Sequence, residues 1–320
     1  MKKVFQILFA VVCFVSLVGC GRQSHHSLRV AIVKQLDHAS IDEIASAIEQ
    51  EIHTLDESVD VQVYSGQNDQ STLMQIGSQV VGNGVDVIIP IGTLAAQTMV
   101  VASEESQTAL VYGAISNPKA AGLLEISRVT GTSDALNTAQ MIEMMLVQNP
   151  QIKKVGLLYS TSETNSQKPI ADAKHILDEK KIAYVEASAN NSGEVVMAAS
   201  SLIASGVDAV FTPTDNVIMS AELSIYEMLV NANIPHYAGA DSFVRSGAFV
   251  TCGVNYTDLG KQTGKLAIDV AKNGFDGVED MYVVDGGIIT VNQEVADSLG
   301  VDPSIFSSFG NVVTVTTTGE

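Results

Sequence analysis

The sequence predicts an α/β protein made of two doubly wound, Rossmann-like domains joined by a hinge, with a cleft between them. Three observations predict this. Short β-branched runs alternate with amphipathic helical stretches, the mark of βαβ units around a parallel sheet. The second half repeats the first: Gly206 to Asp215 answers Gly84 to Thr93 at an offset of 122, Pro235 to Asp241 answers Leu110 to Ser116 at 125, and Gly247 answers Gly122 at 125. The length of 320 residues, 46% of them hydrophobic and 17% charged, suits about two domains that each bury a core.

The same composition excludes other classes. Disorder needs low hydrophobicity with many charges, and three cysteines cannot staple a chain of this size. Against 36 Asp+Glu stand 17 Lys+Arg, a net charge of −19 with no basic stripe, so nucleic acid is not an expected partner.

From the start of the chain, Met1-Lys2-Lys3 is a short basic region and Val4 to Val18 an apolar run. That run falls short of the ~20 residues a membrane-spanning helix needs and reads as a signal peptide over residues 1–19. Leu17-Val18-Gly19-Cys20 resembles a bacterial lipobox, which makes Cys20 the expected lipidation site, and residues 20–27 read as a polar tether. The expected location is the exported face of a bacterial cell membrane, periplasmic or extracellular, held by the lipid anchor.

In the body, Leu28 to Val33, Val59 to Tyr64, Val85 to Ile91 and Ala109 to Ala114 read as strands. Ser40 to Ile52, with apolar residues at 41, 44, 45, 48 and 52, and Gln70 to Val81 read as helices, and a third helix starts at Leu94. Val155 to Tyr159 opens the second copy. After Gly253 come a helix over Thr257 to Asn273, strands at Met281 to Val284 and Ile288 to Val291, and a helix over Gln293 to Leu299. Crossovers are expected near 130–134, 253–256 and 284–289. Domain 1 then takes 28–131 plus 255–285, domain 2 takes 132–254 plus 286–310, and 311–320 is left as a C-terminal tail. Several crossings make a hinge suited to ligand-driven closure.

Ligands of open α/β sheets bind beyond the carboxyl ends of strands. Here those ends carry polar loops: Gln35 to Ser40, Gly92-Thr93, Ser116 to Pro118, Ser160 to Asn165, Thr214 to Asn216, and Asp241-Ser242. Asp215 and Asp241 end neighbouring strands and are expected to hold a cationic group, while Thr93 and Ser116 opposite offer hydroxyls for an anion. A zwitterion such as an amino acid fits. Helix capping is the alternative for Thr93, Ser162, Asp215 and Asp241.

Other motifs fail. Gly260-Lys-Gln-Thr-Gly264-Lys265 is one residue short of a phosphate loop and lies in a helical period. No dinucleotide fingerprint, nucleophile elbow or metal-ligand spacing exists, so neither cofactor, metal nor catalytic residue is expected. Cys252 reads as a core thiol, and Met141, Met144 and Met145 as helix core.

Gly66 to Leu73, Val129 to Asp134, Tyr159 to Ser166, Pro213 to Asn216 and Asn255 to Gly260 together resemble a family of ABC-transporter substrate-binding lipoproteins, some of whose members bind tryptophan or tyrosine. The resemblance runs from about Leu28 to Val301. It implies a type I periplasmic-binding-protein fold, a monomer, and delivery of a small solute to an ABC permease with a cytoplasmic ATPase. It also implies a pocket from Gln35, His38, Thr93 and Ser116 of domain 1 and Ser162, Glu163, Asn165, Asp215, Asn216 and Asp241 of domain 2. The chain departs from the family pattern at Asn117, commonly Asp, and at Cys252, commonly Tyr. Two other readings stay open: a tethered ligand sensor on the same fold, and an export-side enzyme.

Overall fold

A computed structural model describes residues 27–284 and 286–318. The signal peptide, Cys20 and the tether through His26 lie outside the described residues.

The first sheet contains β1 (Arg29–Lys34), β2 (Asp60–Ser65), β3 (Val87–Ile91), β4 (Ala109–Tyr112), β5 (Val129–Ser133) and β11 (Tyr282–Val283). Its order is β11-β5-β4-β3-β1-β2, with every pair parallel. Its helices are α1 (Ala39–Leu55), α2 (Gln70–Gly82), α3 (Thr93–Ala102) and α10 (Tyr256–Asn273). The second sheet contains β6 (Lys154–Tyr159), β7 (Ala183–Ser188), β8 (Ala209–Thr212), β9 (His236–Ala238), β10 (Val250–Gly253), β12 (Ile288–Asn292) and β13 (Asn311–Val315). Its order is β13-β12-β10-β9-β8-β6-β7, with only β10 and β12 antiparallel among its described pairs. Its helices are α4 (Thr138–Gln148), α5 (Thr164–Glu179), α6 (Ser192–Ala204), α7 (Asn216–Met219), α8 (Glu222–Asn231), α9 (Asp241–Arg245) and α11 (Gln293–Leu299).

Sheet order places the site. β1 lies between β2 and β3, and β6 between β7 and β8, so each sheet reverses its winding direction there. At such a switch point the two following loops diverge and leave a crevice. Central strands are apolar throughout because both faces are covered: Val87 to Ile91 is buried at every position. Helix starts are fixed by side chains that accept the first free N–H groups, Asp69 for α2, Asn137 for α4 and Asn255 for α10.

Two sequence-based boundaries change. Residues 311–315, set aside in a tail, form β13, paired in parallel with β12 from Ile288↔Asn311 to Asn292↔Val315. After Asn311 its residues, Val-Val-Thr-Val, are β-branched as a strand favours, and as an edge strand it buries none of them fully. The expected domain break at 131/132 falls inside β5, which continues in the first sheet to Ser133. The chain crosses after that strand.

The phosphate-loop lookalike has a packing explanation. A Cβ on Gly260 would lie 2.6 Å from Ala47 Cβ and 2.8 Å from Ile44 O, and one on Gly264 would lie 3.0 Å from Ile48 O. These glycines let α10 settle against α1. Gly260→Ala should therefore cost about 1–3 kcal/mol through overpacking, read as a lower urea midpoint with unchanged slope. An unchanged midpoint would count against so close a helix contact.

Candidate functional site

The loops after β1, β3, β6 and β8 meet across the crevice. Gln35, directly after β1, is buried and spans three elements. Its Oε1 accepts from Leu94 N in the first turn of α3 at 3.0 Å, while its Nε2 donates to Asn68 Oδ1 at 2.8 Å and to Glu163 Oε1 at 3.3 Å. His38 caps α1: its Nδ1 accepts from Ile41 N, which leaves the proton on Nε2 to donate to Asn216 Oδ1 at 3.0 Å. Asn216 Nδ2 donates to Glu163 Oε2 at 2.8 Å. Gln35, Glu163, Asn216 and His38 thus form one chain of hydrogen bonds that crosses between the sheets at both ends.

Two further bonds cross the crevice. Ser40 Oγ pairs with Ser242 Oγ. Ser116 Oγ bonds Asp134 Oδ1 at 2.8 Å and Thr214 Oγ1 at 2.9 Å. Ser116 has one proton and the carboxylate can only accept, so Thr214 donates to Ser116.

The carboxylates have distinct environments. Asp215 caps α7, with Oδ1 accepting from Val217 N at 3.1 Å and Ile218 N at 3.0 Å; Oδ2 accepts from Ser160 N and Ser166 Oγ, both at 2.6 Å. Asp134, just past β5, accepts from Ser116 and from Tyr256 Oη, yet burial still pushes its carboxyl above the usual range. Burial, and then the charge of Asp215, push Glu163 up to about 7. Asp241 is elsewhere: its carboxylate turns to Arg245 Nε at 3.3 Å on α9 and lines neither chamber described below.

The crevice holds two chambers. One, of about 460 Å³ including its opening, is walled by Ile41, Ile44, Ile91, Met219 and Phe243, with His38, Ser116, Asp134, Asp215 and Asn216 among its polar residues. Phe243 meets His236 edge-on at 6.3 Å, and His236 is pinned between Glu222 and Thr212. The other, of about 640 Å³ likewise including its opening, is polar, with Gln35, Asn68, Gln70, Gln97, Ser162, Glu163 and Thr164 on its walls. Thr93 and Asn165 line both. Asn165 Nδ2 donates to Thr214 O at 2.6 Å, which fixes the amide's orientation and leaves the buried Oδ1 without a partner. Among the described residues, no Lys or Arg lines either chamber.

Nine of the ten residues expected from sequence therefore line this crevice, and Asp241 does not. The expected pair of carboxylates for a cation is not formed, because Asp215 has its four donors and Asp241 its arginine. Sequence reasoning passed over Asp134 and Tyr256 as pocket residues. Their signal was positional, since both stand at the predicted crossovers. Met219 and Phe243 sit on helices of four and five residues, too short to show a period.

Among the described residues, no group of three or more His, Cys, Asp or Glu could hold a metal ion, and no helix is long and apolar enough to cross a membrane. Cys252 is buried, its thiol pushed up to about 12 by that burial.

A family model described as ABC transporter substrate binding protein matches residues 29–304. A tyrosine-binding protein of Clostridioides difficile strain R20291 is 29% identical, over 93% of this chain and 92% of its own length. The ABC domain from Streptococcus pneumonia in complex with L-Trp superposes with a TM-score of 0.82 at 26% identity, covering 90% of this chain and 100% of that one. The ligand-free, open structure of a substrate binding protein with adhesive properties from Clostridium difficile gives 0.69 at 26% identity, covering 91% and 100%.

Proposed function

The chain belongs to the ABC transporter substrate binding protein family, whose members bind substrates rather than transform them, and from that premise we propose that it is the lipid-anchored receptor of an importer for an amino acid, the aromatic ones foremost. The observation that carries the ligand class is the charge pattern of the crevice. Buried carboxylates line it, with no Lys or Arg among the described residues on its walls, while helices begin there. A buried carboxylate without a counter-ion favours an incoming cation, and helix starts favour an anion. A zwitterion supplies both. Relatives that bind tyrosine and L-Trp support the aromatic choice.

Transport follows from the hinge. The open crevice takes the solute on one wall, and contact with the second wall favours the closed form by the difference in affinity between the two states. At equal identity the chain fits the L-Trp complex better than the open, ligand-free structure, as expected of walls already joined by bonds such as Gln35 to Glu163 and His38 to Asn216. The closed form would then present both domains to the permease, with Cys20 keeping the receptor on the membrane.

A thermal-shift screen of the purified full chain against the twenty amino acids and a nucleoside panel tests this. At a hundredfold excess over Kd an aromatic amino acid should stabilise the fold by about 2.7 kcal/mol. Stabilisation by nucleosides alone, or by nothing in either panel, would overturn the reading.

A further inference from the structure

We propose that the two chambers divide a bound amino acid between them, with its ammonium and carboxylate in the polar chamber and its side chain passing Thr93 and Asn165 into the apolar one. The inference rests on the amino-acid reading above and adds an orientation and a specificity residue to it.

Hydrogen-bond capacity decides the direction. In the apolar chamber the polar groups already satisfy one another. Asp215 accepts four bonds, Asp134 accepts from Ser116 and Tyr256, Thr214 bonds Ser116, and Ser40 bonds Ser242. A charged head placed there would have to break those pairs. The junction differs. Asn165 is 5% exposed and its Oδ1 has no partner, a state that costs free energy until a donor arrives. Being a carbonyl oxygen it accepts only, so the group it awaits carries N–H or O–H. Glu163, on the wall of the polar chamber, adds a carboxylate whose hydrogen-bond donors are all neutral: the amides of Gln35, Asn216 and Asn165 and the backbone of Asn216. Together they form a seat for an ammonium.

The carboxylate has its own partners nearby. Helices α3 and α5 start on opposite walls of the polar chamber, at Thr93 and Thr164, and neither has a side chain of its N-cap residue bonded to its first turn, although Gln35 Oε1 already takes Leu94 N of α3. First-turn N–H groups have no partner inside the helix and favour negative charge. Beyond Thr93 and Asn165, the walls made by Ile41, Ile44, Ile91, Met219 and Phe243 suit only the apolar end of the ligand.

The test is calorimetric titration of the purified full chain with L-tryptophan, L-tyrosine and L-phenylalanine, and with the N-acetyl form of whichever binds tightest. The wild type should prefer the free amino acid to its N-acetyl form. Asn165→Ala should reduce affinity for the free amino acid about 10- to 100-fold and erase most of that preference, since hydrogen bonds to charged groups are the strong ones. Phe243→Ala should weaken both ligands by a common factor and keep the preference. Ser162 is exposed on the polar chamber, so Ser162→Tyr fills that chamber without disturbing the core; it should abolish binding at unchanged melting temperature, and it serves if Asn165→Ala fails to fold. Amino acids that bind Asn165→Ala with the preference intact, or Ser162→Tyr at wild-type strength, would overturn the orientation alone. Amino acids that do not bind the wild type would overturn the amino-acid reading and the orientation with it.

Discussion

Asp215→Ala should destabilise the chain by about 3–5 kcal/mol, whereas Asp241→Ala should stay within about 1 kcal/mol of the wild type. The two carboxylates look equivalent in sequence, each following a strand of the second sheet. Their surroundings are not equivalent. Asp215 is 1% exposed and accepts from Ser160 N, Val217 N, Ile218 N and Ser166 Oγ. Removing it strands three backbone N–H groups and a hydroxyl at the second sheet's switch point. Each stranded buried group costs about 1–3 kcal/mol before relaxation, and loss of the cap of α7 is part of that total. Asp241 is partly buried, accepts from Ser242 N and pairs with the exposed Arg245, an ion pair worth about 0–1 kcal/mol. Urea unfolding of both variants at pH 7 reads the difference. Asp241→Ala should also keep full ligand affinity, because its side chain lines neither chamber. Equal losses of stability, or lost binding in Asp241→Ala, would contradict this assignment.

That contrast marks how far the sequence can be read. Strands such as Val87 to Ile91 declare themselves because a strand covered on both faces must be apolar along its length. The repeat between the halves locates the crevice, since corresponding loops of two like domains face each other across a hinge. A polar residue's partner is harder to read. Nothing in Pro213-Thr214-Asp215-Asn216 says that Asp215 turns inward to cap α7 while Asn216 reaches across to His38. Asp134 was hidden for a related reason. It stands on a crossover with no helix directly after it, so neither strand nor helix periodicity draws attention to it. The division into chambers depends on Gln35, Glu163 and Asn216, residues 181 positions apart at the extremes, and only the folded crevice brings them together.

Glu163 supplies the second large effect, a pH dependence of both folding and binding. Burial first, and the charge of Asp215 second, push its carboxyl up to about 7 from an ordinary 4.5. Between those values the folded chain holds a proton that the unfolded chain has released. Stability from this group is therefore full below about pH 4.5 and declines as pH rises towards 7, by roughly 3 kcal/mol in all. Glu163→Gln should remove that decline and be more stable than the wild type at pH 8. The gain should be below the full amount, because Gln35 and Asn216 donate to different carboxylate oxygens and the amide turns one of those acceptors into a donor. Binding should run the other way. A ligand ammonium favours the ionised carboxylate, so wild-type affinity should fall below pH 7 by about tenfold per unit, or roughly thirtyfold from pH 8 to pH 5.5. Glu163→Gln should bind weakly at every pH across that range, with no slope. Titrations of both proteins at matched ionic strength, with urea melts at the same pH values, separate the two effects. A wild-type affinity independent of pH would remove Glu163 from the ammonium seat, and a slope retained in Glu163→Gln would assign the titration to Asp134 or Asp215, the carboxyls of the apolar chamber that burial also raises.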